Sequence, residues 1–351
     1  MAKNHTSYDA ADLKALKNSA IPAAIMASEG VRFDSADDAS VFFARELDYV
    51  KKQSYDVEYP ELTALGLFPI SSEADPGAET ITYYTYEKQG LAKIIDNYST
   101  DLPRADVNGK PSFATIKSLG DSYGYSAQEM RASRLAGKSL DVRKAESARY
   151  QIDFLTNKIA WMGDEDSGLM GVLSSGQSIP VYTLAQVNVG VTNYTDWAHK
   201  TAEQIMDDIN GMAKFVARTT KNVERPDTLC IPADAYMDIA TRQIPHTTAT
   251  VLSFVLEHAP YLKNIISTAE LNADAVETNP YASASVGYGS GVAFMFKNDA
   301  RKLTLENPMP FYQYPLQVRN LETIIPCEAR TAGVIVYYPL SCLIATGVTV
   351  Y

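Results

Sequence analysis

Cysteine, histidine and positive charge are all scarce in this sequence, and each shortage closes a line of chemistry. Three cysteines, Cys230, Cys327 and Cys342, stand in 351 residues with no CxxC pair and no metal-type spacing. An odd count describes no disulfide framework, so they read as reduced, buried thiols. The four histidines, His5, His199, His246 and His258, form no HExxH or other paired ligand spacing, which argues against a zinc enzyme. The N-terminal MAKNHTSYDAADLKALKNS holds no apolar segment, so no secretory signal is expected. Lys and Arg number 31 against 42 Asp and Glu, a net charge of -11 that excludes a surface built throughout to neutralise phosphates. Any contact with nucleic acid must be local.

Recognisable reaction centres are absent too. Gly287-Tyr288-Gly289-Ser290-Gly291 precedes a strand-like run instead of joining a strand to a helix, so it is neither a phosphate loop nor a dinucleotide fingerprint. Asp164, Glu165 and Asp166 are clustered carboxylates of the kind hard cations need, but no calcium-loop spacing follows and a solvated loop is the plainer reading. Ser290 lies in no GxSxG elbow. No catalytic residue, metal ligand or cofactor is therefore assigned, and a soluble α/β enzyme with a β lid is the weakest of the functional readings.

What is present suits a sizeable folded core: 46% of residues are hydrophobic and 21% charged. Residues 331–351 (TAGVIVYYPLSCLIATGVTVY) carry no charge and imitate a membrane span. Their β-branched and aromatic residues are split by Pro339, Ser341 and Gly347, which predicts two short buried strands around a bend and no membrane partner.

Along the chain, residues 1–34 read as an extended arm with a short helical stretch near 10–18. Phe42, Phe43, Leu47 and Val50 stripe an amphipathic helix over 35–53. Residues 80–86 (TITYYTY) and 91–95 are strand-like, joined through 87–90, and a further extended passage at 112–118 follows a turn signal at Asn108-Gly109. This β-rich excursion has few large apolar residues to bury, and a lone two-stranded ribbon is marginal in water. It needs a neighbour to lie on, either the body of its own chain or another copy.

Ser126 and Glu129 form a capping box that starts a helix. After a pause at 137–139, a longer helix is predicted over 141–162, with Ala145, Ala148, Ile152, Leu155, Ile159 and Met162 as one apolar seam. Residues 126–162 hold seven basic and four acidic side chains, net +3 in an acidic chain. A solvated face with local ion pairs is the plain reading, and Arg143, Lys144 and Arg149 facing packaged nucleic acid is the functional one. Beyond a loop at 163–178, expected elements are a strand at 179–184, a helix at 196–219 carried by Ile205, Ile209, Met212 and Val216, a strand at 228–231, a helix at 232–244 opened by Pro232, and a strand at 291–296. Helix and strand alternate here as in a mixed α/β domain, and residues 302–351 are strand-rich.

Several passages carry a resemblance. LTALGLFPI, the strand TITYYTY and GLAKIIDNYSTDLPRADV are similar to the extended loop region of one family of tailed-bacteriophage major capsid proteins. GYSAQEMRASRLAGKSLDVRKAESARYQIDFLTNKIAWMGD, leading into GLMGVL, resembles that family's spine helix and the loop after it, and RPDTLCIPADAYMDIATRQI resembles the entry into its central domain. The likeness spans roughly residues 45–350, and the fold is shared with encapsulin nanocompartments.

The resemblance implies an α+β fold in five parts: 1–58 an N-terminal arm and first helix, 59–125 an extended β loop, 126–184 a peripheral domain with the spine helix, 185–301 an axial domain, and 302–351 strands returning to the peripheral domain. It implies self-assembly into pentamers and hexamers of an icosahedral shell around double-stranded DNA, in a virion built in a bacterial cytoplasm. Portal, scaffold or decoration proteins are further implied partners. An encapsulin-like compartment is the alternative. Tyr83, Tyr84, Tyr86, Leu91 and Ile94 would make intersubunit contacts through the extended loop. Some relatives weld subunits by a lysine-asparagine isopeptide bond; Lys88 and Lys93 sit near the corresponding loop without a matching motif, so no cross-link is expected.

Overall fold

The computed structural model describes residues 59–94, 102, 104–136, 140–189, 192–283 and 289–350. The helices expected at 10–18 and 35–53 and the pause at 137–139 lie outside these residues. A single helical turn, Ala64–Leu67, precedes β1 (Ile70–Ser71). Two ten-residue strands follow, β2 (Thr80–Gln89) and β3 (Asp106–Thr115), and then β4 (Lys117–Ser126) runs directly into α1 (Ala127–Ala136). The capping box forms as expected: Glu129 N–H donates to Ser126 Oγ and Ser126 N–H donates to Glu129 Oε2, each at 3.1 Å.

The long helix is α2 (Leu140–Trp161), and β5 (Gly163–Asp164) and β6 (Leu169–Met170) form the tight pair after it. Its seam departs from expectation. Ala148, Ile152 and Ile159 are buried, but Leu155 and Met162 face outward, and Thr156, Asn157 and Ala160 take the inward positions. Thr156 is satisfied there because its hydroxyl donates to the Ile152 carbonyl at 2.9 Å, so a polar residue sits in the seam without an orphaned group.

Next come β7 (Val181–Thr183), the hairpin β8 (Val187–Val189) and β9 (Thr192–Tyr194), and α3 (Ala202–Thr219). The last begins six residues later than its apolar spacing suggested. Residues 197–199 make a separate 3-10 turn, because the buried Trp197 turns inward and its Nε1–H donates to Asp208. Thr201 and Gln204 then cap α3 reciprocally. Ile205, Ile209, Met212 and Val216 are buried along it. The chain continues through β10 (Thr228–Pro232), α4 (Ala233–Thr241), α5 (Val251–His258), β11 (Asn264–Thr268) and β12 (Ser290–Phe296). It ends with β13 (Leu303–Glu306), β14 (Met309–Gln313), β15 (Gln317–Arg319), β16 (Glu322–Thr331), β17 (Gly333–Val336) and β18 (Leu343–Val350).

A five-stranded sheet in the order β11-β10-β12-β18-β7 forms the centre. Strand alternation assigns its side chains to two faces. Leu229, Ile231, Ala293, Met295, Leu343 and Ala345 pack against α3, α4 and α5. Cys230, Val292, Phe294, Phe296, Cys342 and Ile344 pack on the other side with Trp161 and Phe68. Strands buried on both faces read as continuous apolar runs, which is why residues 331–351 carry no charge. They are β17 and β18 around a 3-10 turn at Pro339–Ser341, and among the described residues no helix is long and apolar enough to cross a membrane.

A second sheet, β1-β13-β17-β6-β5, shares the Trp161 and Phe294 cluster. In a third, β16 pairs with β14 and β15 on one edge and with β4 over ten residues on the other, and Ala148 and Ile152 of α2 pack on it beside Tyr123, Ile325 and Cys327. The strands after residue 302 thus divide: β13 to β17 build these outer sheets, while β18 closes the central one against β12.

Candidate assembly surface on the ribbon and the long helix

The ribbon is longer and differently joined than its sequence suggested. β2 continues through residues 87–89, residues 90–94 are not a strand, and β2 pairs instead with β3 from Thr80↔Thr115 to Gln89↔Asp106. Asn108-Gly109, expected as a turn, lies inside β3. Gly109 stands opposite Tyr86, and a Cβ on it would come within 3.0 Å of the Tyr86 ring. The glycine makes room for the aromatic lying across it, a cross-strand arrangement that a turn signal mimics in sequence.

Register sorts the ribbon into two unlike faces. One carries Tyr84 and Tyr86, their rings stacked at 6.4 Å, beside Pro111 and Phe113 of β3. These rings are 60%, 71% and 69% exposed for Tyr84, Tyr86 and Phe113, and Leu91 and Ile94 beyond the strand are 83% and 97% exposed. The other face turns to the body, where the Tyr83 ring meets Tyr337 edge-on at 5.1 Å; at the ribbon's base Thr115, on the Phe113 face, donates its Oγ1–H to the Gly168 carbonyl at 2.9 Å. Tyr83 therefore anchors within the chain, while Tyr84, Tyr86, Leu91 and Ile94 point to solvent. Phe113 joins them, because the pairing sets it opposite Thr82 on the Tyr84 face. Covering one such aromatic is worth roughly 1.5–3 kcal/mol, so a contiguous uncovered set marks a surface built for contact.

The three basic residues singled out on α2 do not share a face. At about 100° per residue, Arg143 falls opposite the Ala148–Ile152 seam, and Lys144 and Arg149 fall on its two flanks. Lys144 is a structural residue: its Nζ donates to the Gly124 carbonyl at 2.7 Å and to Glu129 Oε2 at 3.3 Å, tying α2 to β4 and to the cap of α1. The Ser126 backbone N–H, with Lys144 next, holds the Glu129 carboxyl below its ordinary range. Arg149 pairs with Asp153 one turn on, at 3.6 Å. Burial pushes Asp153 up, and the Arg149 charge opposes that shift. Arg143 stands on the exposed ridge.

Among the described residues no group of three or more His, Cys, Asp or Glu is arranged to hold a metal ion, the 164–166 carboxylates included. His199 lies against Asp196 and stacks on Tyr194 at 3.9 Å, far along the chain from the other described histidines. The three thiols are buried, and burial pushes Cys342 up to about 12 and Cys230 higher still.

Comparison with known proteins agrees with this picture. The family described as Major capsid protein matches residues 90–348. The capsid of the myovirus phage XM1 superposes with a TM-score of 0.73 at 16% identity, over 89% of this chain and 100% of that one. The capsid of a native GTA particle gives 0.60 at 8% identity over 91% and 100%. A protein of Mycobacterium phage Ogopogo gives 0.57 at 10% identity over 85% and 96%. At these identities the likeness is one of fold. A search of curated protein sequences finds no match.

Proposed function

The chain belongs to the major capsid protein family, a structural subunit of a capsid shell, and from that premise we propose that its copies form the pentamers and hexamers of an icosahedral tailed-phage shell around double-stranded DNA. The work of such a subunit is geometric. A ribbon too thin to bury its own apolar side chains gains order from the next copy, and one chain fits five- and six-fold rings by small changes of angle. The observation that carries this reading is the uncovered face of Tyr84, Tyr86 and Phe113, opposed to a base fixed by Tyr83 and Tyr337. Family membership favours the virion over an encapsulin-like compartment, and the account calls for no catalytic step.

Contact with DNA is the finer part of the proposal. Of the three basic residues, the exposed Arg143 and Arg149 are the ones taken to face DNA, and Lys144 ties α2 to β4 instead. A shell interior needs only weak, sequence-independent attraction, which a few exposed cations supply. Assembly in the host cytoplasm and contact with portal, scaffold or decoration proteins belong to the same reading.

Size-exclusion chromatography and negative-stain microscopy of the full chain test it. Rings or closed shells are expected, and shells made in cells should protect nucleic acid from nuclease. A small, stable monomer at all concentrations contradicts it.

A further inference from the structure

Two clefts of opposite charge lie at the two ends of β11. At its start is a groove of about 440 Å³ lined by Lys214, Arg225, Lys263 and Lys297, with Pro226, Pro260 and Tyr261 as apolar wall. Among the described residues none of these four cations makes a hydrogen bond or ion pair through its side chain. Asp227, the acidic residue in the lining, is occupied: its Oδ1 accepts from Asn298 N–H and from the Thr228 hydroxyl. Four unpaired cations in one groove are conspicuous in a chain of net charge -11.

At the other end of β11, about 20 Å away at ~3.3 Å per residue, a second cleft of about 300 Å³ is lined by Glu61, Glu270, Asp274 and Glu277, with Tyr150 and Phe154 beside them. Glu61, Asp274 and Glu277 are exposed, and none has a side-chain partner among the described residues. Glu270 is different: it is 7% exposed, its Oε1 accepts from Thr63 N–H and Asn157 Nδ2, and its Oε2 has no partner. A buried carboxylate oxygen left unpaired is costly, and a cation brought against it removes the cost. Aromatic walls suit the aliphatic stem of a lysine or arginine. The carboxylates are not arranged to hold a metal ion.

We infer that the basic groove of one copy docks on the acidic cleft of the next, giving a head-to-tail contact in which each chain uses both ends of β11 at once. The inference rests on the assembly reading above and adds the residues and the polarity of one contact. The occupant is a second copy because the same chain carries both halves, at separate places that do not compete. Such a heterologous contact closes into rings when its rotation permits. Unpaired exposed charges of opposite sign also set the partner and speed the encounter, more than they add to final affinity.

Charge exchange in the full-length chain tests this. Lys214→Glu with Arg225→Glu and Lys263→Glu reverses the groove; Glu61→Lys with Asp274→Lys and Glu277→Lys reverses the cleft. Sedimentation at about 50 mM salt should show either set weakening self-association by about tenfold or more, with the difference fading near 0.5 M as charges are screened. All six changes in one chain should restore association. Thermal melting of each variant, and the same sites changed to Gln, separate lost docking from lost folding. Single-set variants that associate like the parent overturn the pairing and leave the assembly reading intact. So does a six-site variant as weak as the single sets while melting normally, or a groove variant that loses only retention on duplex DNA. A parent chain that never associates overturns the assembly reading itself.

Discussion

The central sheet and the ribbon are both β structure in one chain, yet they solve opposite problems. β10, β12 and β18 are covered on both faces, by α3 to α5 on one side and by the Trp161, Phe68 and Phe294 cluster on the other. β2 and β3 have each other, a base on Tyr337, and an uncovered row of aromatics. The first is complete as a single chain. The second has its backbone bonds in place but its apolar surface in water, so its stability depends on what lies over it.

The contrast breaks most visibly in the sheet. Phe294→Ala removes a fully buried ring that packs on Phe68, Trp161 and Phe296, and should cost about 3–5 kcal/mol in chemical denaturation of the lone chain. Tyr84→Ser with Tyr86→Ser should leave that denaturation within about 0.5 kcal/mol, as for exposed sites, while sharply lowering shell yield by sedimentation. Equal losses of stability from the two changes would erase the distinction.

Smaller effects sharpen it on α2. Lys144→Met should destabilise by about 1–3 kcal/mol because the Gly124 carbonyl and Glu129 lose a charged donor, whereas Arg149→Ala should cost under about 0.5 kcal/mol and show its effect in packaged nucleic acid. Denaturation midpoints and nuclease-protected DNA read the two separately. Glu129 adds to the acid response of this corner: its folded value is depressed, so its contribution is present above the unfolded carboxylate value and is lost as pH falls through the folded value. Glu129→Gln, which removes the titrating carboxyl, should flatten that acid-side loss in circular dichroism, by an amount below the effect of Lys144→Met.

The elements most legible in the sequence were those whose signal is local. The Ser126 and Glu129 box, the α3 stripe and the split uncharged stretch at 331–351 each carry their own pattern, and each forms. What sequence missed was decided at a distance. Asn108-Gly109 looks like a turn until Tyr86 is known to lie across it, and Leu155 looks inward until the Thr156 hydroxyl finds the Ile152 carbonyl. Of the candidate surface, Tyr84, Tyr86, Leu91 and Ile94 could be named from the excess of aromatics in a thin ribbon. Tyr83 could not be separated from them without the register. The clefts at the ends of β11 draw on residues from 61 to 297, and no spacing along the chain brings those together.

Hydrogen exchange of the lone protomer and of the assembled shell tests the central contrast most directly. Amides of β10 and β12 should be protected in both states, while those of β2 and β3 exchange quickly in the protomer and slowly in the shell. Equal, strong protection of the ribbon in both states would contradict its dependence on a neighbouring copy.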